Sequence, residues 1–213
     1  PLLSNIFLHY VLDDWFVKEV KPRLRGRCIM IRWDDHFIMG CELESDARRI
    51  MALLPKRFGH DGLSLHPEKT SIIRFKRPRS GGGGKGRQNG TIDFLGFTFY
   101  WARSYRGYWV MKKKTARRRL ARFMRVLWRW CRENMHEPIQ QHHRALCVKL
   151  RGWFRYHGVR NNYRALKAIF VCAGRAWRYW LSRRSSKGTV NWEKFDRLCV
   201  SYPLPRPRII HNI

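Results

Sequence analysis

The chain has 213 residues, of which 44% are hydrophobic, so it can build the core of one large domain or two small ones. Its 45 Lys and Arg against 15 Asp and Glu give a formal net charge of +30, which repels itself unless a polyanion neutralises it. Nucleic acid is therefore the first partner to consider and an anionic membrane its rival, although no apolar run approaches the ~18 residues that a spanning helix needs.

The positive charge is concentrated in the second half of the chain. Residues 1–100 hold 17 basic and 11 acidic side chains, a net of +6, whereas residues 101–213 hold 28 and 4, a net of +24. The six cysteines are widely spaced without a Cys-x-x-Cys pair, which disfavours a zinc ribbon or a disulfide scaffold and fits reduced thiols in a cytoplasm. The second half has the composition of a polyanion binder.

The first half of the chain is predicted to mix helices with short strands. Apolar residues spaced by three and four predict a helix over 2–20 and a second over 44–57, which Ser45 would cap. Two apolar runs on either side of a polar dipeptide predict a β-hairpin over about 27–42. Further strands are predicted at 63–65, at 72–75, at 91–100 with a bend at Gly96, and in a hairpin through Arg106-Gly107. Four glycines at 81–84 among basic and polar residues predict a flexible loop over 76–90.

The predicted hairpin carries two adjacent carboxylates, Asp34 and Asp35, at its tip. Clustered carboxylates hold Mg²⁺ in phosphoryl-transfer enzymes, because this ion prefers hard oxygen ligands in an open octahedron. Aspartate is also a common turn residue, and on this stretch alone a plain turn is the favoured interpretation.

Three basic helices are predicted after Lys112, over 115–134, 138–157 and 161–183. The first carries an apolar stripe and, beside it, a row of arginines spaced by 4, 3, 4 and 3: Arg118, Arg122, Arg125, Arg129 and Arg132. Four like-charge neighbours cost ~0.2–0.5 kcal/mol each when no acid offsets them. A face kept charged for solubility would interleave glutamates, so we interpret the row as a phosphate-contacting surface.

Other basic residues extend this predicted surface. They are Lys112, Lys113 and Lys114 before the first helix, and Arg164, Lys167, Arg175 and Arg178 outside the apolar stripe of the third. The many Trp and Tyr residues fall mostly on the apolar stripes, which indicates core packing in preference to base stacking. The segment 184–213 is basic and then rich in proline, and is predicted to lie extended along the surface.

Several short motifs follow one another in a recognisable order. They are Pro1-Leu2-Leu3-Ser4-Asn5-Ile6, Arg32-Trp33-Asp34-Asp35-His36-Phe37, Leu65-His66-Pro67-Glu68-Lys69-Thr70, Phe94-Leu95-Gly96-Phe97, Arg151-Gly152-Trp153-Phe154-Arg155-Tyr156-His157-Gly158 and Leu204-Pro205-Arg206-Pro207-Arg208-Ile209-Ile210-His211. Together they resemble the reverse transcriptase/maturase proteins of bacterial group II introns, most of all the compact kind without an endonuclease domain. The resemblance runs from Pro1 to the C-terminus.

The resemblance implies an α+β fold. Residues 1–111 would form part of a reverse-transcriptase palm, with a small antiparallel sheet backed by helices. Residues 112–183 would form an all-α, three-helix thumb/maturase domain, and 184–213 a basic, proline-rich C-terminal segment. The family's fingers, and a palm strand with a further metal-binding Asp, would lie upstream of Pro1, so the chain is expected to be the C-terminal portion of such a protein.

The resemblance also implies a function. Members of the family are RNA-directed DNA polymerases that use Mg²⁺, and they bind intron RNA to assist its splicing and mobility. The expected partners are group II intron RNA, an RNA/DNA template–primer and the missing fingers and palm, in a bacterial cytoplasm and without a membrane. Trp33, Lys69 and Gly96 would lie near the nucleotide or the template–primer.

The metal-binding motif is altered. The family has Arg-Tyr-Ala-Asp-Asp-Phe where this chain reads from Arg32 to Phe37, so that Asp35 replaces the first paired Asp, His36 the second, and Asp34 the Ala. A neutral imidazole is a poor ligand for Mg²⁺. We assign Asp35, with Asp34 in a shifted register, as the candidate catalytic and metal residues, and expect the chain to be inactive alone. The alternative function is a non-catalytic, maturase-like RNA-binding protein.

Overall fold

The structure is a computed structural model that describes residues 2–78, 90–184 and 189–212. The chain folds as a mixed α+β protein, as the sequence predicts, and divides into two compact units, Pro1–Arg74 and Phe75–Ile213. Its described part contains six α-helices and two antiparallel sheets, one of two strands and one of three. Of the flexible loop predicted over 76–90, residues 79–89, with all four glycines, lie outside the described residues.

The first unit contains a helical segment, a β-hairpin and a second helix. They are α1 (Leu2–Leu8), continued by π-helical turns over His9–Asp14 and Phe16–Val20, then β1 (Cys28–Trp33), β2 (His36–Cys41) and α2 (Glu44–His60). Their apolar stripes meet in one core, which buries Val11, Leu12, Trp15, Phe16, Val20, Cys28, Ile50, Leu54 and Phe58. The predicted cap at Ser45 is wrong, since Leu43 occupies the N-cap position. The strands predicted at 63–65 and 72–75 are also wrong: neither segment pairs with a strand in the described part of the chain.

The hairpin is confirmed, with the two carboxylates at its tip. Strands β1 and β2 pair from Cys28 opposite Cys41 to Trp33 opposite His36, so Asp34 and Asp35 form a two-residue turn. Arg32 ties this turn to the helical segment. Its guanidinium donates to both carboxylate oxygens of Asp13 at 2.6–3.1 Å, to Asn5 Oδ1 at 2.9 Å and to the Asp34 carbonyl at 3.0 Å.

The second unit places a three-stranded sheet beside a group of helices. The elements are β3 (Ile92–Phe94), β4 (Phe97–Arg103), β5 (Trp109–Thr115), α3 (Arg117–Glu133), α4 (Ile139–His157), α5 (Tyr163–Leu181) and α6 (Trp192–Ser201). The three predicted basic helices are confirmed to within two residues at each end. Strand character over 91–100 is confirmed, as is the bend predicted at Gly96: Leu95 and Gly96 take positive φ angles of 49° and 80°, so the segment divides into a tight hairpin of β3 and β4. The three-stranded sheet belongs to the second unit, whereas the domain boundary predicted at residue 111 placed it in the first domain.

Helix α6 is a correction to the extended segment that was predicted over 184–213. Asn191 caps α6 by accepting a hydrogen bond from the Lys194 amide at 2.9 Å, and Phe195 is buried against the core. Residues 203–210 form no helix or strand, and His211 pairs in parallel with Val159. The amide of His211 donates to the Gly158 carbonyl at 2.9 Å, which closes the C-terminal end of α4.

The core of the second unit lies among α3, α4 and α5. Its fully buried members are Leu127, Leu146, Leu150, Leu166, Ile169, Ala173 and Trp177. Burying one such Leu or Ile stabilises a fold by about 1.5–3 kcal/mol. The apolar stripes that predict the helices are therefore the surfaces that hold them together.

Asn162 joins three elements of this unit from a fully buried position. Its Oδ1 accepts from the Thr115 amide at the end of β5, and its Nδ2 donates to Thr115 Oγ1 and to the His157 carbonyl at the end of α4, all at 2.8 Å. Asn162 itself precedes the first residue of α5. One side chain thus fixes the sheet relative to both helices.

We expect Asn162→Ala to lower the free energy of unfolding by about 2–4 kcal/mol, because the buried Thr115 amide loses its side-chain acceptor and the His157 carbonyl keeps only the amide of Val159. Urea denaturation followed by circular dichroism measures the loss. The neighbouring change Asn161→Gly is the control: Asn161 is exposed with φ of 68°, a conformation that glycine adopts freely. A similar loss in both variants would contradict the structural role given to Asn162.

We expect Asp13→Ala to destabilise the first unit by about 1–3 kcal/mol at neutral pH, because the half-buried Arg32 guanidinium loses a charged acceptor. The hydrogen bonds from Arg32 lower the pKa of Asp13, so its contribution is present above the ordinary pKa of 3.8 and lost as pH falls below it. Urea midpoints at neutral and acid pH measure both effects. Asp14→Ala is the control, since its pair with Lys18 is exposed; equal losses would contradict the anchoring role of Asp13.

Candidate nucleic-acid interface

The arginine row of α3 lies on the solvent side of the helix. Its five members, Arg118, Arg122, Arg125, Arg129 and Arg132, are all exposed. On the opposite stripe of α3, Leu127 and Cys131 are completely buried. At a rise of 1.5 Å per residue, the row extends over about 21 Å. It is a straight line of positive charge on a rigid support.

These charges are left uncompensated by the rest of the described chain. Within the described residues, the first four arginines of the row make no ion pair or hydrogen bond, and the fifth, Arg132, lies 5.8 Å over the ring of Trp180. Arg48 and Arg197, which are exposed on other helices, each contact a glutamate four residues earlier at 2.6 Å. The sequence explains the contrast, because residues 94–132 contain 12 Lys and Arg and no Asp or Glu.

The lysines of β5 lie on the two faces of the sheet. Lys114 is exposed, with its Nζ 4.9 Å over the ring of Tyr100, and Lys112 donates to the Arg103 carbonyl at 2.8 Å. Lys113 pairs with Phe99 on the opposite face and is half-buried. Of the three lysines, Lys114 is the one most open to a partner.

The basic residues of α5 divide into two groups. Arg164, Lys167 and Arg175 are exposed on one stripe. Arg178 is half-buried, donates to the Val190 carbonyl at 3.0 Å and stacks 4.3 Å over the ring of Trp192. Arg178 therefore holds α6 against α5, and we leave it out of the candidate surface.

The acidic turn presents two carboxylates to solvent. Asp34 is exposed with φ of 57°, the Asp35 side chain is 74% exposed, and His36 Nδ1 lies 3.7 Å from Asp35 Oδ1. Trp33, 68% exposed, stands beside them. Lys69 ends a 3₁₀ turn elsewhere in the same unit. Of the predicted metal and nucleotide residues, the hairpin itself brings together Trp33, Asp34 and Asp35.

This turn does not fit a magnesium centre of the polymerase type on its own. No group of three or more His, Cys, Asp or Glu side chains capable of holding a metal occurs within residues 2–78, 90–184 and 189–212. Asp13, which Arg32 joins to the hairpin, is already paired with that arginine. Asp34 and Asp35 supply two neighbouring carboxylates, whereas a two-metal site clamps both the attacking and the leaving oxygen.

A cavity that the sequence did not predict lies in the second unit, between the β3–β4 turn and helices α3 and α4. It has a volume of about 260 Å³, and its walls include Gly96, Arg119, Gly152, Trp153, Tyr156 and His157. Gly96, expected near a template–primer, thus lines this cavity. Burial lowers the pKa of His157 to about 4, and the nearby charge of Arg119 adds to the effect. At neutral pH the imidazole is uncharged and Arg119 is the cation of the site.

The Tyr156 ring in this cavity is held from two sides. Its hydroxyl donates to the Leu95 carbonyl at 2.9 Å, and its ring stacks on Phe97 with centroids 5.7 Å apart. The side chain is nevertheless half exposed. Four of the cavity residues belong to the motif of residues 151–158. That motif is the one feature of the sequence that could have pointed to this site.

None of the helices that the structure describes has both the length and the apolar character needed to cross a bilayer. Comparison with protein-family models and with curated proteins finds no match to this chain, so the family resemblance rests on the short motifs of the sequence itself.

Proposed function

We propose that this chain binds RNA through the arginine row of α3 and belongs to the reverse transcriptase/maturase type of group II intron protein. The observation that carries the proposal is a row of five exposed arginines without carboxylate partners among the described residues. A polyanion laid along the row relieves the repulsion between neighbouring charges and releases its own condensed counterions.

The choice of arginine favours phosphate over a generally acidic partner. A guanidinium offers planar, paired donors that match two phosphate oxygens at once, whereas an ammonium acts as a point charge. The seven basic residues of α3, from Arg117 to Arg132, are all arginine, and the five of the row repeat at intervals of three and four residues. A regular row on a straight helix suits a regular phosphate backbone.

The identification of the nucleic acid as RNA rests on the motifs. Residues 151–158, which resemble the maturase signature, lie at the end of α4 in the same unit as the arginine row. The proposed partners are accordingly group II intron RNA and an RNA/DNA template–primer. Copying of RNA would use Asp35, with Asp34, to hold Mg²⁺, and the two-carboxylate turn supports this part less than the arginine row supports binding.

A second candidate function is a non-catalytic, maturase-like RNA-binding protein. It needs only the basic surface, and the engagement of Asp13 by Arg32 favours it, because that carboxylate is then withheld from any metal at the hairpin. Both candidates share the same binding surface.

We expect Arg122→Ala combined with Arg125→Ala to weaken binding to a structured RNA and to reduce the slope of log affinity against log salt by about 0.7–0.9 for each lost contact. Fluorescence anisotropy over a series of KCl concentrations measures both quantities. The matched control is Arg48→Ala combined with Arg197→Ala, which removes the same charge from two exposed helical arginines that already have glutamate partners. Equal effects of the two double variants would defeat the proposed surface.

We expect Asp35→Ala to leave RNA affinity unchanged, because the carboxylate lies on the exposed turn of the first unit and repels phosphate if it acts at all. Anisotropy with the same RNA checks this. Primer extension with Mg²⁺ on an RNA template separates the two candidates: synthesis by the wild type that Asp35→Ala abolishes supports the reverse transcriptase, and RNA binding without synthesis supports the non-catalytic protein.

A further inference from the structure

We infer that the cavity beside the first turn of α3 receives an unpaired nucleobase of the bound RNA, with Arg119 on the adjoining phosphate. The inference rests on the proposed function and names the RNA structure that the same unit recognises: a bulge or loop beside a helical segment. It is carried by the size of the cavity, by the ring of Tyr156 and by the position of Arg119.

The size of the cavity suits one ring system. Its volume of about 260 Å³ lies just below the ~300–1,000 Å³ of sites that bury drug-sized ligands. Two glycines keep it open. Gly96 lies in the β3–β4 turn with a φ of 80° and has no side chain. A Cβ added at Gly152 would meet no atom within 4 Å. The space is therefore available to a base without movement of the helices.

Tyr156 provides a fixed stacking surface. Phe97 covers one side of its ring and does not line the cavity, while the hydrogen bond from its hydroxyl to Leu95 fixes the ring plane. A base entering the cavity would extend the stack of Phe97 and Tyr156. Sequence-specific proteins read single-stranded RNA in this way, by stacking splayed bases on aromatic side chains.

Arg119 connects the cavity to the arginine row. It is exposed, it directly follows Arg118 of the row and it lies one turn before Arg122. Its side chain rests against Gly96, with Nε 3.7 Å from the position of an added Cβ. A backbone that follows the row thus passes the mouth of the cavity, where Arg119 can hold the phosphate next to a base that has left the stack.

The experiment compares two RNA duplexes of equal length, one perfectly paired and one with a single bulged nucleotide, on the full chain. We expect the wild type to bind the bulged RNA about tenfold more tightly, the range that base stacking on an aromatic side chain supports. Gly152→Leu should bring this ratio to about one, because its side chain lies one helical turn before Tyr156 and fills the cavity without changing charge.

Gly152→Ala is the matched control. It adds one carbon to the same helix position, leaves most of the cavity open and should keep the preference for the bulge. Alanine and leucine both form helices better than glycine, and circular dichroism verifies that the two variants fold alike. A preference that survives Gly152→Leu unchanged overturns the assignment of the cavity.

The remaining outcomes separate this inference from the proposed function. Equal wild-type affinity for the two duplexes overturns the cavity assignment and leaves backbone binding intact. Failure of the wild type to bind either duplex overturns the proposed function, and the inference with it. A free nucleoside monophosphate that binds the wild type but not Gly152→Leu, while the wild type binds the two duplexes equally, would show a mononucleotide site and would overturn RNA as the source of the base.

Discussion

The packing of α3 against the core of the second unit holds like charges side by side. Four neighbouring arginine pairs cost about 1–2 kcal/mol in repulsion. The complete burial of Leu127 and Cys131 on the other side of the same helix offsets that cost, since one buried leucine contributes about 1.5–3 kcal/mol. The helix stays folded with its charges uncompensated, and they remain available to a partner. The candidate surface and the adjoining cavity both depend on this packing.

Periodicity along the chain predicts those parts of the fold in which neighbours in sequence are also neighbours in space. Helices α3, α4 and α5 and the hairpin of β1 and β2 are of this kind, because each shows its own apolar stripe or alternation. The expected strands at 63–65 and 72–75 failed for the opposite reason. Short apolar runs become strands only when another strand supplies hydrogen bonds, and local sequence carries no information about that partner. Helix α6 was missed because the prolines after it dominated the interpretation of the whole segment.

The candidate surface was likewise predictable only where its residues lie on one helix. The arginine row follows from spacing within one helix, so the sequence alone indicates its exposed face. The cavity joins residues 95–96, Arg119 and residues 152–157, and no pattern along the chain reports that these segments meet. The sequence also placed Arg178 on the candidate surface, because its spacing matches the outer face of α5. In the structure, Trp192 of α6 covers it. The hydrogen bonds between Asn162 and Thr115 likewise join distant positions of the chain, and only the folded structure shows them.

The closure of α4 by His211 has a consequence for how the second unit forms. The Gly158 carbonyl accepts hydrogen bonds from the amides of Ile210 and His211, about fifty residues later in the chain. A Cβ at Gly158 would also collide with the backbone of Phe154 and Arg208, so the late segment fits tightly over this point. Long-range closures of this sort slow folding, because the connecting loop must lose its freedom before the contact compensates. During synthesis, the end of α4 that carries Tyr156 and His157 would wait for residues about fifty positions later in the chain before it is fixed in place.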